Sequence, residues 1–177
     1  AQESRGLGDV YKRQAYDHVG PVYLRFGRLA VPVFNDEATY RFEIGKGEVL
    51  RDGSDVAIIA TGLMVAEAVE AAKTLAEAGI SARVINICTI KPLDEELVVK
   101  AARECGKIIT CEEHSVIGGL GEAVCSLLSE KAPTPVRRIG VQDKFGHSGP
   151  AWEVLRDYGL TADAIADAVR SFVKEDQ

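Results

Sequence analysis

The chain has 177 residues, 46% apolar and 27% charged, the make-up of a globular protein with one ordinary core and at most part of a second. Its formal net charge of −6, from 21 Lys and Arg against 27 Asp and Glu, comes with no basic stripe interleaved with aromatics, which argues against nucleic acid as a partner. No apolar run reaches the length of a membrane span and no signal-peptide pattern is present, so no membrane partner is expected and the expected location is the cytoplasm.

In chain order, residues 1–14 (AQESRGLGDVYKRQ) share no periodicity with the rest of the chain and are set aside as a non-native or disordered tail. Gly20 and Pro21 make a turn before an apolar strand over 22–26. A lone strand is not stable without neighbours, so residues 15–47 read as the remnant of a domain followed by a linker, with the earlier part of that domain missing. Phe42, Ile44, Val49 and Leu50 around Gly47 predict a short ribbon leading into a second domain, residues 48–177.

From there the pattern is regular. Val56–Ala60 is an apolar strand, followed by a helix carrying Val65, Ala68, Val69, Ala72, Leu75 and Ala76 that closes at Gly79. A strand over 83–87 precedes a helix capped by Asp94, presenting Leu97, Ala101, Ala102 and Cys105 and ended by Gly106. Residues 108–111 are β-branched or apolar without alternation, as in a strand buried on both faces, and Leu120, Val124, Leu127 and Leu128 mark the next helix. Val136–Val141 is a further strand. Gly149 and Pro150 open a helix with Val154, Leu155 and Tyr158 that closes at Gly159, and Thr161 caps a last helix bearing Ile165, Ala168, Val169 and Phe172. This alternation predicts an α/β fold: a three-layer α/β/α domain on a mainly parallel sheet with right-handed crossovers.

Cys88, Cys105, Cys111 and Cys125 have neither CxxC nor zinc-finger spacing and fall in strand-like runs or on apolar helix positions, as reduced buried thiols do. The stretch from Lys107 to Val124 is richer. It puts Glu112, Glu113 and His114 at the carboxyl end of a strand, above Gly118, Gly119 and Gly121 at a helix start, the edge where open α/β sheets meet ligands and partner subunits. The GGLG run could cradle a phosphate, but it lacks the lysine and Ser/Thr of a P-loop, which favours close backbone packing. The acids and histidine could act as acid, base or metal ligand. Consecutive residues point in different directions, however, which favours a hydrogen-bonded turn or a subunit contact. In the loop 145–149, Ser148 is expected to cap the following helix beside His147. His18 reads as a surface residue, while Arg25 and Arg28 suit a bound phosphate or a structural salt bridge equally. The residues alone give a fold and no complete active site.

Five stretches in one order carry a resemblance: GPVYLRFGR at 20–28, DGSDVAIIATG at 52–62, INICTIKPLD at 85–94, EEHSVIGGLGEAV at 112–124 and DKFGHSG at 143–149. Together, over about residue 15 to the end, they resemble the C-terminal subunit of split bacterial and archaeal transketolases. The resemblance implies a transferase of the pentose phosphate pathway that uses thiamine diphosphate and Mg²⁺ to move a two-carbon ketol unit between sugar phosphates. It also implies a transketolase N-terminal subunit as partner, in a homodimer or heterotetramer. The activating glutamate and the aromatic ring pocket of the pyrimidine-binding domain are absent from this chain. By itself it is therefore expected to be inactive, to bind no cofactor or metal and to carry no catalytic residue. Arg28 matches the family arginine that contacts the sugar phosphate. Glu112, Glu113, His114 and His147 are candidates for an interface or site, and His147 stands where relatives often have an acid. The alternatives are a non-catalytic assembly or regulatory module, or a piece of a 1-deoxyxylulose-5-phosphate synthase or 2-oxoacid dehydrogenase E1 β subunit.

Overall fold

The computed structural model describes residues 15–23, 40 and 42–174. It divides into two units, Ala1–Glu43 and Ile44–Gln177. In the first, residues 15–17 are helical, His18 is exposed as expected, and 21–23 are not in a strand; the rest of the strand expected over 22–26, the 1–14 tail, Arg25 and Arg28 lie outside the described residues.

The second unit runs β1 (Gly47–Arg51), β2 (Val56–Ala60), α1 (Met64–Glu77), β3 (Ala82–Ile87), α2 (Glu95–Cys105), β4 (Ile108–Ser115), α3 (Leu120–Lys131), β5 (Val136–Val141), α4 (Ala151–Asp157) and α5 (Ala162–Lys174). The sheet order is β1-β3-β2-β4-β5, parallel throughout except for β1, which pairs antiparallel with β3 at one edge. Every residue of β2 is buried, because helices cover both faces of the sheet. Alternation then divides that one run between two cores: Val56, Ile58 and Ala60 join Val84, Ile109 and Cys111 beneath α1 and α5, while Ala57 and Ile59 join Ile85, Ile87 and Ile108 beneath α2 and α3.

The ribbon expected over 42–50 is instead a single edge strand. Gly45 turns the chain at φ +84, its N–H donating to Thr89 Oγ1 at 2.8 Å, and strand pairing begins only at Gly47. A Cβ on Gly47 would stand 2.7 Å from Ile87 Cδ1 and 2.8 Å from Leu97 Cδ2, so the strand reaches its place because that atom is missing. Asp94 locks this corner. One carboxylate oxygen accepts the Leu97 N–H at 3.2 Å as the cap of α2, and the other accepts the Gly47 N–H at 3.0 Å.

Helix α5 is fastened at both ends. At its start Thr161 Oγ1 accepts the Ala164 N–H at 3.3 Å, and Glu67 of α1 accepts the Ala162 N–H at 2.7 Å. At its end Lys107 Nζ donates to the Phe172 carbonyl at 2.7 Å and Arg137 Nη1 to the Ala168 carbonyl at 3.0 Å; both cations also lie over the Phe172 ring, 5.4 and 4.7 Å from its centroid. Helix α4 differs from expectation. Pro150 begins it with no side-chain cap, so Ser148 does not serve there, and the Pro150 carbonyl simply accepts from Glu153 and Val154. At the far edge of the sheet the Pro135 carbonyl accepts from Ile108 of β4 and the Val141 carbonyl from Val116 just past it, so those of Arg138 and Gly140 face away from β4; the Gln142 amide folds back and donates to both, at 3.2 and 3.3 Å.

Because Asp94 serves a helix cap and a strand anchor from a buried position, Asp94→Ala is expected to lower the unfolding free energy by about 2 kcal/mol in urea titration. Asp94→Asn, which keeps one acceptor oxygen, is expected to lose less.

Candidate functional site

The loops after the parallel strands β2 to β5 share one edge of the sheet. Strand β4 runs four residues beyond the expected 108–111 and shapes that edge. Cys111 pairs with Ile139 and Ser115 with Val141, so four steps along β4 match two along β5. The surplus forms a bulge, Glu112 to His114, opposite Gly140. Gly140 makes room for it: a Cβ there would lie 2.8 Å from the His114 carbonyl oxygen and 3.3 Å from Glu112 Cγ.

The bulge sorts its three side chains. Glu113 and His114 face solvent, whereas Glu112 is 1% exposed and turned beneath the start of α3. Its Oε2 accepts the Leu120 N–H and its Oε1 the Gly121 N–H, each at 2.8 Å. A buried carboxylate is costly unless its charge is met. Here it meets two backbone donors and the positive end of a helix dipole. The glycines make the approach possible: a Cβ on Gly119 would fall 1.9 Å from Glu112 Oε2, and one on Gly121 would fall 2.8 Å from Thr110 Oγ1 and from Arg138 Cδ. Gly118 turns at φ +77 with its N–H held by Glu122, and Arg138 Nη1 donates to the Val116 carbonyl at 3.0 Å. A phosphate cradle at GGLG is thus ruled out in this arrangement, since the chain's own negative charge occupies the donors a phosphate would use. Both Glu112 oxygens being so engaged, the group is placed to hold the loop rather than to move protons. Burial, seconded by Glu112 next to it, pushes the Cys111 thiol far above the ordinary cysteine range.

His147 lies in the loop after β5. Its ring stacks on Tyr158 with centroids 5.6 Å apart, and Nε2 lies 3.4 Å from Asp157 Oδ2. Among the described residues no hydrogen bond or ion pair joins it to Glu112, Glu113 or His114, and no three His, Cys, Asp or Glu side chains are grouped so as to hold a metal ion. What the edge does gather is apolar surface. Ile90, Ile117 and Trp152 are exposed in or just after its loops, and Phe145 is fully exposed. Local pattern could not foretell this, because an isoleucine in a loop looks the same whether covered or bare. The Glu112 clasp did leave a trace: an acid at the end of a buried strand, followed within ten residues by glycines at a helix start.

The fold and site define a mainly parallel three-layer α/β domain whose carboxyl edge is closed by a glycine-rich clasp. The family described as transketolase, C-terminal domain, matches residues 45–165, and the chain belongs to that family. It is 47% identical over 158 residues to the 6-deoxy-6-sulfo-D-fructose transketolase subunit SqwH of Clostridium sp. (strain MSTE9), covering 88% of this chain and 48% of that one. It is 45% identical to 1-deoxy-D-xylulose-5-phosphate synthase 1 of Geobacter sulfurreducens (strain ATCC 51573 / DSM 12127 / PCA) over 91% of this chain and 26% of that one. Among solved structures, a split gene transketolase described as an inactive β4 tetramer is similar at a TM-score of 0.84 and 50% identity, over 90% of this chain and 52% of that one. The chain therefore spans about half the length of the transketolase subunits it matches, and less of the synthase.

Glu112→Gln keeps the shape of the clasp and removes its charge, and it is expected to cost about 2 kcal/mol in urea unfolding, against less than about 0.5 kcal/mol for the exposed Glu113→Gln. In the native chain Cys111 is expected to resist iodoacetamide, reacting only on unfolding, while the partly exposed Cys88 and Cys125 are alkylated first, as peptide mass mapping will read.

Proposed function

We propose that the chain is the C-terminal portion of a transketolase, a cytoplasmic enzyme of the pentose phosphate pathway that moves a two-carbon ketol unit between sugar phosphates, and that its α/β domain serves assembly of that enzyme. Family membership over residues 45–165 is the observation that carries this reading. The geometry supports the assembly role: the buried carboxylate at the carboxyl edge holds the fold, and what remains on that edge is exposed apolar surface flanked by Glu113, His114 and His147.

Thiamine diphosphate supplies the carbanion chemistry of such enzymes when it is bound. The described residues of this chain do not fit it. The glycine-rich start of α3 is closed by the Glu112 carboxylate, which would repel a diphosphate, and among the described residues no acidic or histidine cluster suits Mg²⁺. The cofactor is accordingly assigned to other parts of the intact enzyme. Arg28, with its planar fork of donors, is the proposed contact to the sugar phosphate.

The proposed occupant of the carboxyl edge is a transketolase N-terminal subunit, within a homodimer or heterotetramer. The length shared with proteins named as transketolase subunits supports a separate partner, and a 50% identical chain described as an inactive β4 tetramer supports association without turnover. The similarity to 1-deoxy-D-xylulose-5-phosphate synthase favours one other reading, a piece of an enzyme that takes pyruvate as donor.

Size-exclusion chromatography with light scattering, and turnover of xylulose 5-phosphate with ribose 5-phosphate, test the proposal. The expected result is a complex with the N-terminal subunit that Phe145→Ser or Ile117→Ser weakens about tenfold, with no turnover and no calorimetric binding of thiamine diphosphate and Mg²⁺ by the chain alone. Turnover by the chain alone would overturn the assembly role, and condensation of pyruvate with glyceraldehyde 3-phosphate by the enzyme restored to full length would favour the synthase.

A further inference from the structure

One group of side chains holds the loop 142–149 between β5 and α4, and its geometry is that of a proton-dependent contact. His147 Nε2 lies 3.4 Å from Asp157 Oδ2, and Nδ1 lies 3.4 Å from the Ser148 carbonyl oxygen. Both ring nitrogens therefore face oxygen atoms that can only accept. Neutral imidazole has one N–H, so one of the two oxygens then meets a lone pair; imidazolium has two and satisfies both. The ring also lies against the Tyr158 ring, centroids 5.6 Å apart and planes 21° from parallel, a neighbour that favours a cation. Asp157 and Tyr158, both at the end of α4, face His147, its own loop contributes the Ser148 carbonyl, and the other charged side chains of that loop are Asp143 and Lys144. Tyr158 O–H donates to the Phe145 carbonyl at 2.6 Å. The end of α4 thus grips the loop at two points, and the residue between them is Gly146.

We propose that His147 is a proton-operated latch. Charged, it is the second hold of the loop on the end of α4, beside the fully exposed Phe145; neutral, it leaves the loop held by Tyr158 alone. The regulatory consequence rests on reading the carboxyl edge as the assembly face, since the latch then sets how that face is presented. The latch itself is a property of this chain and can be measured without a partner.

Lys144 provides the readout, because trypsin cuts faster after a residue in a loosened loop than in a held one. The full chain, His147→Gln and Asp157→Asn are digested at about pH 6 and at about pH 8.5, on either side of the usual histidine titration. Comparison with the native chain at each pH cancels the protease's own pH dependence. Both variants are expected to be cut after Lys144 roughly two- to fivefold faster than the native chain in acid, the scale of a half-exposed ion pair, and at the same rate in alkali. An equal ratio at both pH values overturns the latch. A second arm needs no variant: in the native chain the Tyr158 ring resonances are expected to differ between the acid and the alkaline sample, and a tyrosine that stays unmoved also overturns it. Loss of partner binding with these signs intact would sink the assembly reading alone.

Discussion

The carboxylate of Glu112 under the first turn of α3 is the contact on which the carboxyl edge of this domain depends. A helix start leaves N–H groups without partners, and a strand end leaves a side chain to place. The bulge in β4 brings the two needs together. Three glycines, 119, 121 and 140, clear the path, and each would collide with the clasp or its surroundings if it carried a Cβ. Anion binding at a helix start is a property of the backbone, and this fold supplies the anion from its own chain. That choice settles the character of this part of the edge, where the backbone donors at the start of α3 are already filled.

The same economy of backbone groups governs the opposite end of the layer under α1 and α5. Lys107, at the entrance to β4, and Arg137, in β5, meet over Phe172 and bind carbonyls in the last turns of α5. Two cations at the negative end of a helix are favourable, and here they also cover an aromatic face that would otherwise meet water. With Glu67 holding the other end, α5 is tied to α1, β4 and β5 at once, so the last helix is part of the layer and not an appendage.

Most of the second unit was legible because its signals were local. The unbroken apolar run of β2, the Asp94 cap and the glycines closing the helices after 78, 105 and 158 are each a few residues deciding their own conformation. The resemblance in five ordered stretches told the family, and the four of them that lie among the described residues hold strand ends and turns. What was not legible was register. Whether β4 stops at 111 or runs to 115 depends on β5 lying beside it, and the inward turn of Glu112 between two outward neighbours follows from a bulge that no single strand encodes. The ribbon over 42–50 failed on the same ground, because Gly47 is drawn to β3 and not to the residues before it. Ser148 was read as a cap from its position alone, and proline supplied the helix start instead.

The side chain of Gln142 gives the sheet a direction of growth. It folds back over the margin of β5 and donates to the outward carbonyls of Arg138 and Gly140. An extended segment laid along that margin would have to compete with this amide for two of its carbonyls, which weakens the margin as a template for strand pairing. Among the described residues the sheet ends at β5, and its own chain guards that margin in the way a dressed corner ends a row of bricks.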